Sequence, residues 1–148
     1  MILVVDANVV VHECLVAGDR GFGRFEQHEL LAPELLVWEV ASVLHECAWR
    51  LAAGHPTQGM GALTASDVGE AFGRLRRAPV RIVPATEELV VEAWSIATKC
   101  GFARLYDAAY VALAQVNGVP LVTLDARLRR SPASRLVEII GPTEVRTA

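Results

Sequence analysis

Two short apolar runs, each closed by an aspartate, constrain the fold of this chain more than any other feature. Residues 2–5 read Ile-Leu-Val-Val before Asp6, and residues 119–124 precede Asp125. A continuous apolar run that ends in a polar residue is typical of a strand buried on both faces of a parallel sheet. We therefore expect Asp6 and Asp125 to lie at the carboxyl ends of two such strands.

Predicted strands and helices alternate along the chain. Strands are predicted at residues 2–5, 30–32, 80–83, 119–124 and 137–140. Helices are predicted at residues 9–17, 33–53, 64–78, 86–101, 105–116 and 127–130, with a flexible loop at 54–61. Glycine, proline and Asn-Gly breaks separate these segments, and neither a repeat nor a linker is visible. The alternation predicts an α/β fold in which helices cover both faces of a parallel sheet.

The longest predicted helix begins at Pro33, because proline suits the first turn. It ends at residue 53, because Gly54 and Pro56 follow. Its apolar stripe is expected to face the core and comprises Leu36, Val40, Val43, Leu44, Cys47 and Leu51. The three tryptophans, Trp38, Trp49 and Trp94, are also expected to pack in the core or at an interface rather than stack on bases.

The length of 148 residues predicts a single domain over residues 1–148. The longest uncharged run, residues 108–124, contains Gln115 and Asn117 and is shorter than the roughly 20 apolar residues of a membrane span. No basic leader precedes Asp6, so a cytoplasmic protein is expected. With 53% hydrophobic residues, the chain is apolar enough to keep a surface for a partner.

Charge and cysteine content exclude several classes of function. A net charge of −3 argues against a protein that coats nucleic acid by electrostatics alone. Lys99 is the only lysine, which excludes mechanisms that need a lysine beside a phosphate. The cysteines Cys14, Cys47 and Cys100 form no C-x-x-C pair, so we expect buried thiols rather than a disulfide framework or a zinc site.

Asp6 and Asp125 are the first candidates for a functional site, because ligands of open parallel sheets bind beyond the carboxyl ends of the strands. Taken alone, each of them is as well explained as the cap of the next helix. Asp107 lies near the start of a helix that is otherwise almost entirely apolar. Tyr110 occupies the third position after it, so no capping box accounts for this aspartate.

Glu39 is the fourth candidate, because its neighbours at helical spacing offer no basic partner. Glu46, by contrast, has Arg50 four residues on and is interpreted as one half of an exposed ion pair. A carboxylate beside an apolar stripe is costly unless something compensates it. Glu39 is therefore expected at a metal ion or in a polar cleft, with a simple surface position as the alternative.

Four carboxylates in one place require a neutralising charge, because each pair at 4 Å repels by about 4 kcal/mol at an effective dielectric constant near 20. Mg²⁺ or Mn²⁺ would provide it, since both prefer oxygen ligands. Such a cation supports the hydrolysis of phosphodiesters. The residues therefore point to phosphoryl transfer.

Four segments together resemble the PIN-domain family. They are Val-Val-Asp6-Ala-Asn8, Leu-Leu-Val-Trp-Glu39-Val-Ala, Tyr-Asp107-Ala-Ala-Tyr-Val-Ala-Leu-Ala and Leu-Val-Thr123-Leu-Asp125-Ala-Arg-Leu. The similarity covers nearly the whole chain. It is strongest to the VapC-type toxins of toxin–antitoxin pairs.

This resemblance implies a three-layer α/β/α sandwich with strand order 3-2-1-4-5 and metal-dependent endoribonuclease activity. It carries metal-binding and catalytic roles to Asp6, Glu39, Asp107 and Asp125, and supporting polar roles to Asn8 and Thr123. It also implies a VapB-type antitoxin, docked on the helical surface near residues 33–78, and a homodimer. A PIN-like nuclease of RNA processing or DNA metabolism, and a non-catalytic binding PIN domain, remain alternatives.

Two arginine clusters are candidates for contacts with RNA phosphates or for solvated helix ends. The first comprises Arg74, Arg76, Arg77 and Arg81, and the second comprises Arg127, Arg129, Arg130 and Arg135. The second is preferred, with Arg127, Arg129 and Arg130 as its RNA-binding members, because it directly follows Asp125. The four histidines, His12, His28, His45 and His55, are expected at the surface or partly buried.

Signalling receiver domains and haloacid-dehalogenase-type phosphatases also place acids at strand ends of a parallel sheet. A receiver domain needs an acidic pair after its first strand and a late lysine at a strand end, and the phosphatase needs a D-x-D motif. The chain has Asn8 where that motif requires aspartate, and its one lysine lies in a predicted helix. Both classes are therefore disfavoured.

Overall fold

The protein is seen in a computed structural model that describes residues 1–57 and 61–145. Its centre is a parallel sheet of β1 (Ile2–Val5), β2 (Glu29–Pro33), β3 (Val80–Val83), β4 (Leu121–Val122) and β5 (Ile139–Ile140). The strands lie in the order β3-β2-β1-β4-β5. The predicted α/β class and strand order are confirmed.

Helices form the outer layers. They are α1 (Ala7–Leu15), α2 (Leu35–Ala52), α3 (Ala65–Leu75), α4 (Glu87–Cys100), α5 (Leu105–Asn117) and the short α6 (Ala126–Arg129). Short 3₁₀ turns lie at Gly18–Arg20, Gly23–Phe25, Pro132–Arg135 and Pro142–Glu144. The first three helices pack on one another, and α4 packs on α5.

The strand β1 lies between β2 and β4, which explains its uninterrupted apolar sequence. Leu3, Val4 and Val5 have no exposed surface. Burying each such side chain contributes roughly 1.5–3 kcal/mol. The predicted stripe of α2 is confirmed as well, since Leu36, Val40, Leu44 and Cys47 are buried and Val43 and Leu51 pack against the core.

Most helix ends follow the predicted signals. Thr64 caps α3 in a capping box with Asp67, and Thr86 caps α4 by accepting a hydrogen bond from Leu89 N. Gly101 and Gly118 end α4 and α5 in the left-handed conformation that glycine adopts without strain.

Several predicted boundaries are wrong, among them the start of β5, which is Ile139 rather than residue 137, and the end of α1, which is Leu15 rather than residue 17. Pro33 is the last residue of β2, where it pairs with Val83, and α2 begins at Leu35. Helix α1 begins at residue 7 rather than 9, because Asp6 caps it. Helix α3 ends at Leu75, short of residue 78. Strand β4 contains only two residues of the predicted 119–124, and Pro120 before it lacks the N–H that a ladder needs. Residues 58–60 of the predicted loop, and 146–148 of the predicted single domain, lie outside the described residues.

The tryptophans lie outside the core, so of the two predicted placements, core or interface, only the interface remains. Trp38, Trp49 and Trp94 are 78%, 58% and 65% exposed. Each tryptophan is two positions from a buried residue of the same helix. Because successive helical residues are turned by about 100°, a residue two positions away is turned by about 200° and faces away from the core. Cys100 is also only partly buried, whereas Cys14 and Cys47 are buried as expected.

Glu13 is a buried acid that secures the segment between α1 and β2. Its carboxylate is 2% exposed, and its Oε2 atom accepts a hydrogen bond of 2.8 Å from the N–H of Phe22. Phe22 adopts the left-handed conformation, with φ of 65°. His12 Nδ1 and Arg24 Nε lie 3.4 Å and 3.6 Å from Oε1. This carboxylate therefore holds the segment in a conformation that phenylalanine rarely adopts.

Within residues 1–57 and 61–145, no helix has the length and hydropathy of a membrane span.

Candidate active site

The pairing of β1 with β4 brings the two strand-end aspartates to one edge of the sheet. Val5 lies opposite Val122 in the parallel register, so Asp6 and Thr123 are the next residues of the two strands. This is where the strand order reverses, the place at which open parallel sheets bind ligands. The topology therefore positions Asp6 at the centre of the site.

Asp6 is 7% exposed, and three neighbours donate hydrogen bonds to its carboxylate. Its Oδ1 atom accepts from Ala7 N at 2.7 Å. Its Oδ2 atom accepts from Asn8 Nδ2 at 2.7 Å and from Thr123 Oγ1 at 2.6 Å. The carboxylate thus caps α1 and is also held across the two strands.

Asn8 and Thr123 link Asp6 to Asp125. Asn8 Oδ1 accepts from Leu124 N at 2.9 Å, and the fully buried Thr123 accepts from Asp125 N at its Oγ1 atom at 3.0 Å. Asp125 in turn caps α6, because its Oδ1 accepts from Arg127 N at 2.7 Å and from Leu128 N at 3.2 Å. This network fixes the position of both aspartates through backbone and neutral side-chain donors.

Glu39 enters the site from α2. Its Oε2 atom accepts a hydrogen bond of 2.6 Å from the hydroxyl of Tyr110 on α5. Tyr110 itself is 1% exposed, so its ring is anchored in the core. Glu39 borders a polar cleft, as one of its two sequence interpretations predicted, and Tyr110 holds it there.

Asp107 lies in the first turn of α5 and does not cap that helix, whose cap position is Arg104. Its Oδ2 atom is 3.9 Å from Arg127 Nη2, and the same nitrogen is 3.6 Å from Asp125 Oδ2. Because Arg127 is 84% exposed, these contacts are screened by water and compensate little of the negative charge.

All four predicted acids line one cleft of about 490 Å³. Asn8 and His12 also border it, and Val11 and Val43 supply apolar wall. The acids come from four places in the chain: the ends of β1 and β4, the first half of α2 and the start of α5. The structure therefore brings together Asp6, Glu39, Asp107 and Asp125.

The pKa values of three of these carboxyls are raised, and burial is the main cause in each case. The charge of Asp107 further raises the pKa of Asp6, and hydrogen bonds from Thr123 and Ala7 offset part of the effect. The charges of Asp6 and Asp107 raise the pKa of Glu39, and that of Asp125 raises the pKa of Asp107. The cleft therefore carries negative charge that its own residues do not neutralise.

This donor set suits a hard divalent cation, since every candidate ligand is a carboxylate oxygen and the charge of the cleft is in excess. No three histidine, cysteine, aspartate or glutamate side chains in the described part of the chain converge closely enough to hold a metal ion as they stand. The residues fit such an ion in the chemistry of their oxygen donors and in lining the same cleft.

The predicted arginines differ in their surroundings. Arg127 lies beside the acids, whereas Arg129 is paired with Glu144 and Arg130 is exposed. In the first cluster, Arg74 is paired with Asp19 and Glu70, and Arg81 with Glu29. Of the predicted RNA-binding residues, Arg127 is the one that borders the cleft region.

Two residues of the site were missed by sequence reasoning. In the sequence, Tyr110 indicates only that Asp107 is not part of a capping box. In the structure it is the hydrogen-bond partner of Glu39. His12 is partly buried, within the range predicted for the histidines, but its place beside the cleft is not predicted. A signal for Tyr110 was present, because it lies three residues after Asp107 and therefore on the same face of α5.

Replacing Glu39 by glutamine is expected to stabilise the metal-free protein at pH 7 by up to about 1 kcal/mol. The amide oxygen still accepts from Tyr110, while the cost of burying a charge and the repulsion from Asp6 and Asp107 are lost. A carboxyl whose pKa is raised by folding favours the folded state when it is protonated. The difference in the free energy of unfolding between the variant and the wild type should therefore shrink as the pH falls through that pKa. Urea unfolding in EDTA measures this free energy for both proteins.

Glu46→Gln on the same helix is the matched control, since it removes only an exposed ion pair with Arg50. That variant should lose at most about 0.5 kcal/mol. A Glu39→Gln protein less stable than the wild type at pH 7 would show that the carboxylates do not repel one another in the folded state.

Comparison with solved structures gives the same fold. PAE2754 from Pyrobaculum aerophilum is 19% identical with a TM-score of 0.64, and the alignment covers 97% of this chain and 93% of that one. VapBC2 from Rickettsia felis, solved bound to a DNA fragment from its promoter, is 11% identical with a TM-score of 0.62, and the alignment covers 95% of this chain and 98% of that one. A toxin–antitoxin complex from Klebsiella pneumoniae is 14% identical with a TM-score of 0.58, and the alignment covers 95% of this chain and 97% of that one.

The family comparison covers most of the chain. No curated protein matches the sequence. The profile of the PIN domain matches residues 3–133, a span that contains all four acids of the cleft. The chain therefore belongs to the PIN domain family.

Proposed function

We propose that this protein is a Mg²⁺- or Mn²⁺-dependent endoribonuclease and the toxin of a VapBC-type toxin–antitoxin pair. The observation that carries the proposal is that four carboxylates from four separate elements line one cleft. PIN domains are generally nucleases, and two of the similar structures are complexes of the toxin–antitoxin type.

Asp6, Glu39, Asp107 and Asp125 would hold the cation. When bound, a divalent cation supplies stabilisation of the negative charge that develops on the phosphoryl oxygens during hydrolysis. Asn8 and Thr123 orient Asp6, and Tyr110 keeps Glu39 turned to the cleft. Arg127, with Arg129 and Arg130 farther along the chain, would contact phosphates of the RNA.

The helical surface near residues 33–78 is proposed to bind the antitoxin. Trp38 and Trp49 are exposed on α2 and line a groove of about 450 Å³, and Phe72 on α3 is 48% exposed. Exposed aromatic side chains of this kind are typical of protein interfaces. A second exposed apolar face on α4, formed by Val90, Val91 and Trp94, is proposed to support a homodimer.

The proposal is tested by incubating the protein with structured and single-stranded RNAs in Mg²⁺ or Mn²⁺. Cleavage is expected with either cation, is expected to stop in EDTA, and should return when the cation is restored. Parallel reactions with DNA of the same sequence separate an endoribonuclease from a DNA-processing nuclease. Cleavage that persists in EDTA would contradict the metal requirement, and metal-independent RNA binding without cleavage would favour a binding domain.

A further inference from the structure

A second cavity adjoins the acidic cleft. It has a volume of about 610 Å³ and shares Glu39 and Asp107 with the cleft as lining residues. Its remaining wall comes from the α4–α5 connection, the start of α5 and α6. Whatever occupies this cavity lies next to the carboxylates proposed to hold the cation.

One wall of the cavity is aromatic. Tyr106 directly precedes Asp107 in the chain and is 56% exposed, although it lies in a helix whose later residues are almost all buried. Phe102 lines the same cavity, and the floor includes Leu128, which is 2% exposed. In the described part of the chain no other ring stacks on Tyr106. Tyr106 therefore presents more than half of its surface to solvent at this wall.

The cavity also contains two cationic side chains. Arg104 forms no ion pair with any residue in the described ranges, and Arg127 has only the exposed contacts with Asp107 and Asp125. The adjoining cleft is acidic, so the positive charge is confined to this side of the site. An occupant that satisfies this surface needs a flat aromatic part and an anionic part.

We propose that this cavity is a nucleotide-binding subsite for single-stranded RNA, in which a base stacks on Tyr106 and the adjacent phosphate contacts Arg104 and Arg127. Stacking on an aromatic side chain and contact with guanidinium groups are the two means by which proteins bind single strands. The subsite would hold the nucleotide next to the bond that is cut, a placement that rests on the proposed RNA cleavage at the neighbouring acids.

The test measures RNA binding in an Asp6→Asn background, which prevents hydrolysis during the titration. Short oligoribonucleotides carry 2-aminopurine at successive positions, because the fluorescence of this base falls when it stacks on an aromatic ring. Binding is expected to quench one position strongly. Tyr106→Phe should retain the quenching and bind within about 2-fold of the parent, whereas Tyr106→Leu should abolish it and weaken binding about 5- to 100-fold.

Arg104→Gln should weaken the binding of every RNA sequence. It should also make the fall of the logarithm of the association constant with the logarithm of the salt concentration less steep, by about 0.7 to 1 in the slope. The matched control for Arg104 is Arg20→Gln, an exposed arginine in the 3₁₀ turn Gly18–Arg20 that lines neither cavity, and Tyr106→Phe is the control for the ring. Both should bind and quench as the parent does. In the enzyme that retains Asp6, Tyr106→Leu should raise KM while a thermal melt shows an unchanged fold.

Equal binding and quenching by Tyr106→Leu and the parent would overturn the subsite, as would RNA that does not bind at all. The two proposals fail separately. Cleavage that is indifferent to Tyr106 and Arg104 would leave the nuclease standing without this subsite. Binding that depends on Tyr106 in a wild-type protein that cuts no RNA would leave the subsite standing without the nuclease.

Discussion

Replacing Asp6 by asparagine is expected to lower the rate of RNA hydrolysis by at least about 10³-fold. Asp6 lies where β1 and β4 meet and shares the cleft with the three other acids. The variant keeps the size of the side chain and removes the charge that would hold the cation. The measurement is single-turnover cleavage of one RNA at saturating Mg²⁺ or Mn²⁺.

Asp19→Asn is the matched control, because Asp19 is 97% exposed and lines no part of the acidic cleft. It should cleave at the wild-type rate. Thermal melts of both variants separate loss of chemistry from loss of fold, since the amide nitrogen introduced by Asp6→Asn would face one of the donors that now bind the carboxylate. A folded Asp6→Asn protein with wild-type activity would sink the proposed nuclease site.

The strand-end position of Asp6 and Asp125 could be predicted because it depends on local patterns. An apolar run buried on both faces reports a central parallel strand, and the polar residue that closes it lies at the carboxyl edge. Glu39 was found in the same way, from the lack of a basic neighbour at helical spacing. These signals need no knowledge of distant contacts.

Pro33 shows where local patterns fail. The fixed backbone angle of proline suits both the first turn of a helix and the edge of a strand. Pairing with Val83, which lies 50 residues away in the chain, decides between them. Such a pairing is a property of the tertiary structure.

Tyr110 and Trp38 show what local patterns can and cannot tell. The partner of Tyr110 is 71 residues away, so no local pattern could identify the hydrogen bond with Glu39. The exposure of Trp38, by contrast, was contained in the sequence, because a residue two positions from Leu36 faces the opposite side of a helix. The position of Trp38 opposite the buried stripe therefore decides its exposure, whatever its residue type.

The second large effect is expected at Glu13, outside the acidic cleft. Replacing Glu13 by alanine should destabilise the protein by about 2–4 kcal/mol, of which an unsatisfied N–H costs about 1–3 and the cavity the rest. The N–H of Phe22 loses its acceptor while the residue is still held at a φ of 65°. The melting temperature should fall by roughly 6–12 °C, as measured by urea and thermal unfolding.

The surroundings of Glu13 leave the segment little room to relax. A Cβ atom on Gly21 would lie 2.3 Å from the carbonyl oxygen of Glu13, so the backbone of α1 and the segment are already in close contact. Glu13→Gln should lose less than Glu13→Ala, because an amide oxygen can still accept from Phe22 although the charge beside Arg24 is gone.

Glu26→Ala removes an exposed acid from the same segment and should change stability by less than about 0.5 kcal/mol. An equally small effect of Glu13→Ala would show that the buried carboxylate does not hold the segment. If the large effect is found, it extends to the cleft, because His12 borders the cleft and its Nδ1 atom lies within hydrogen-bond distance of Glu13.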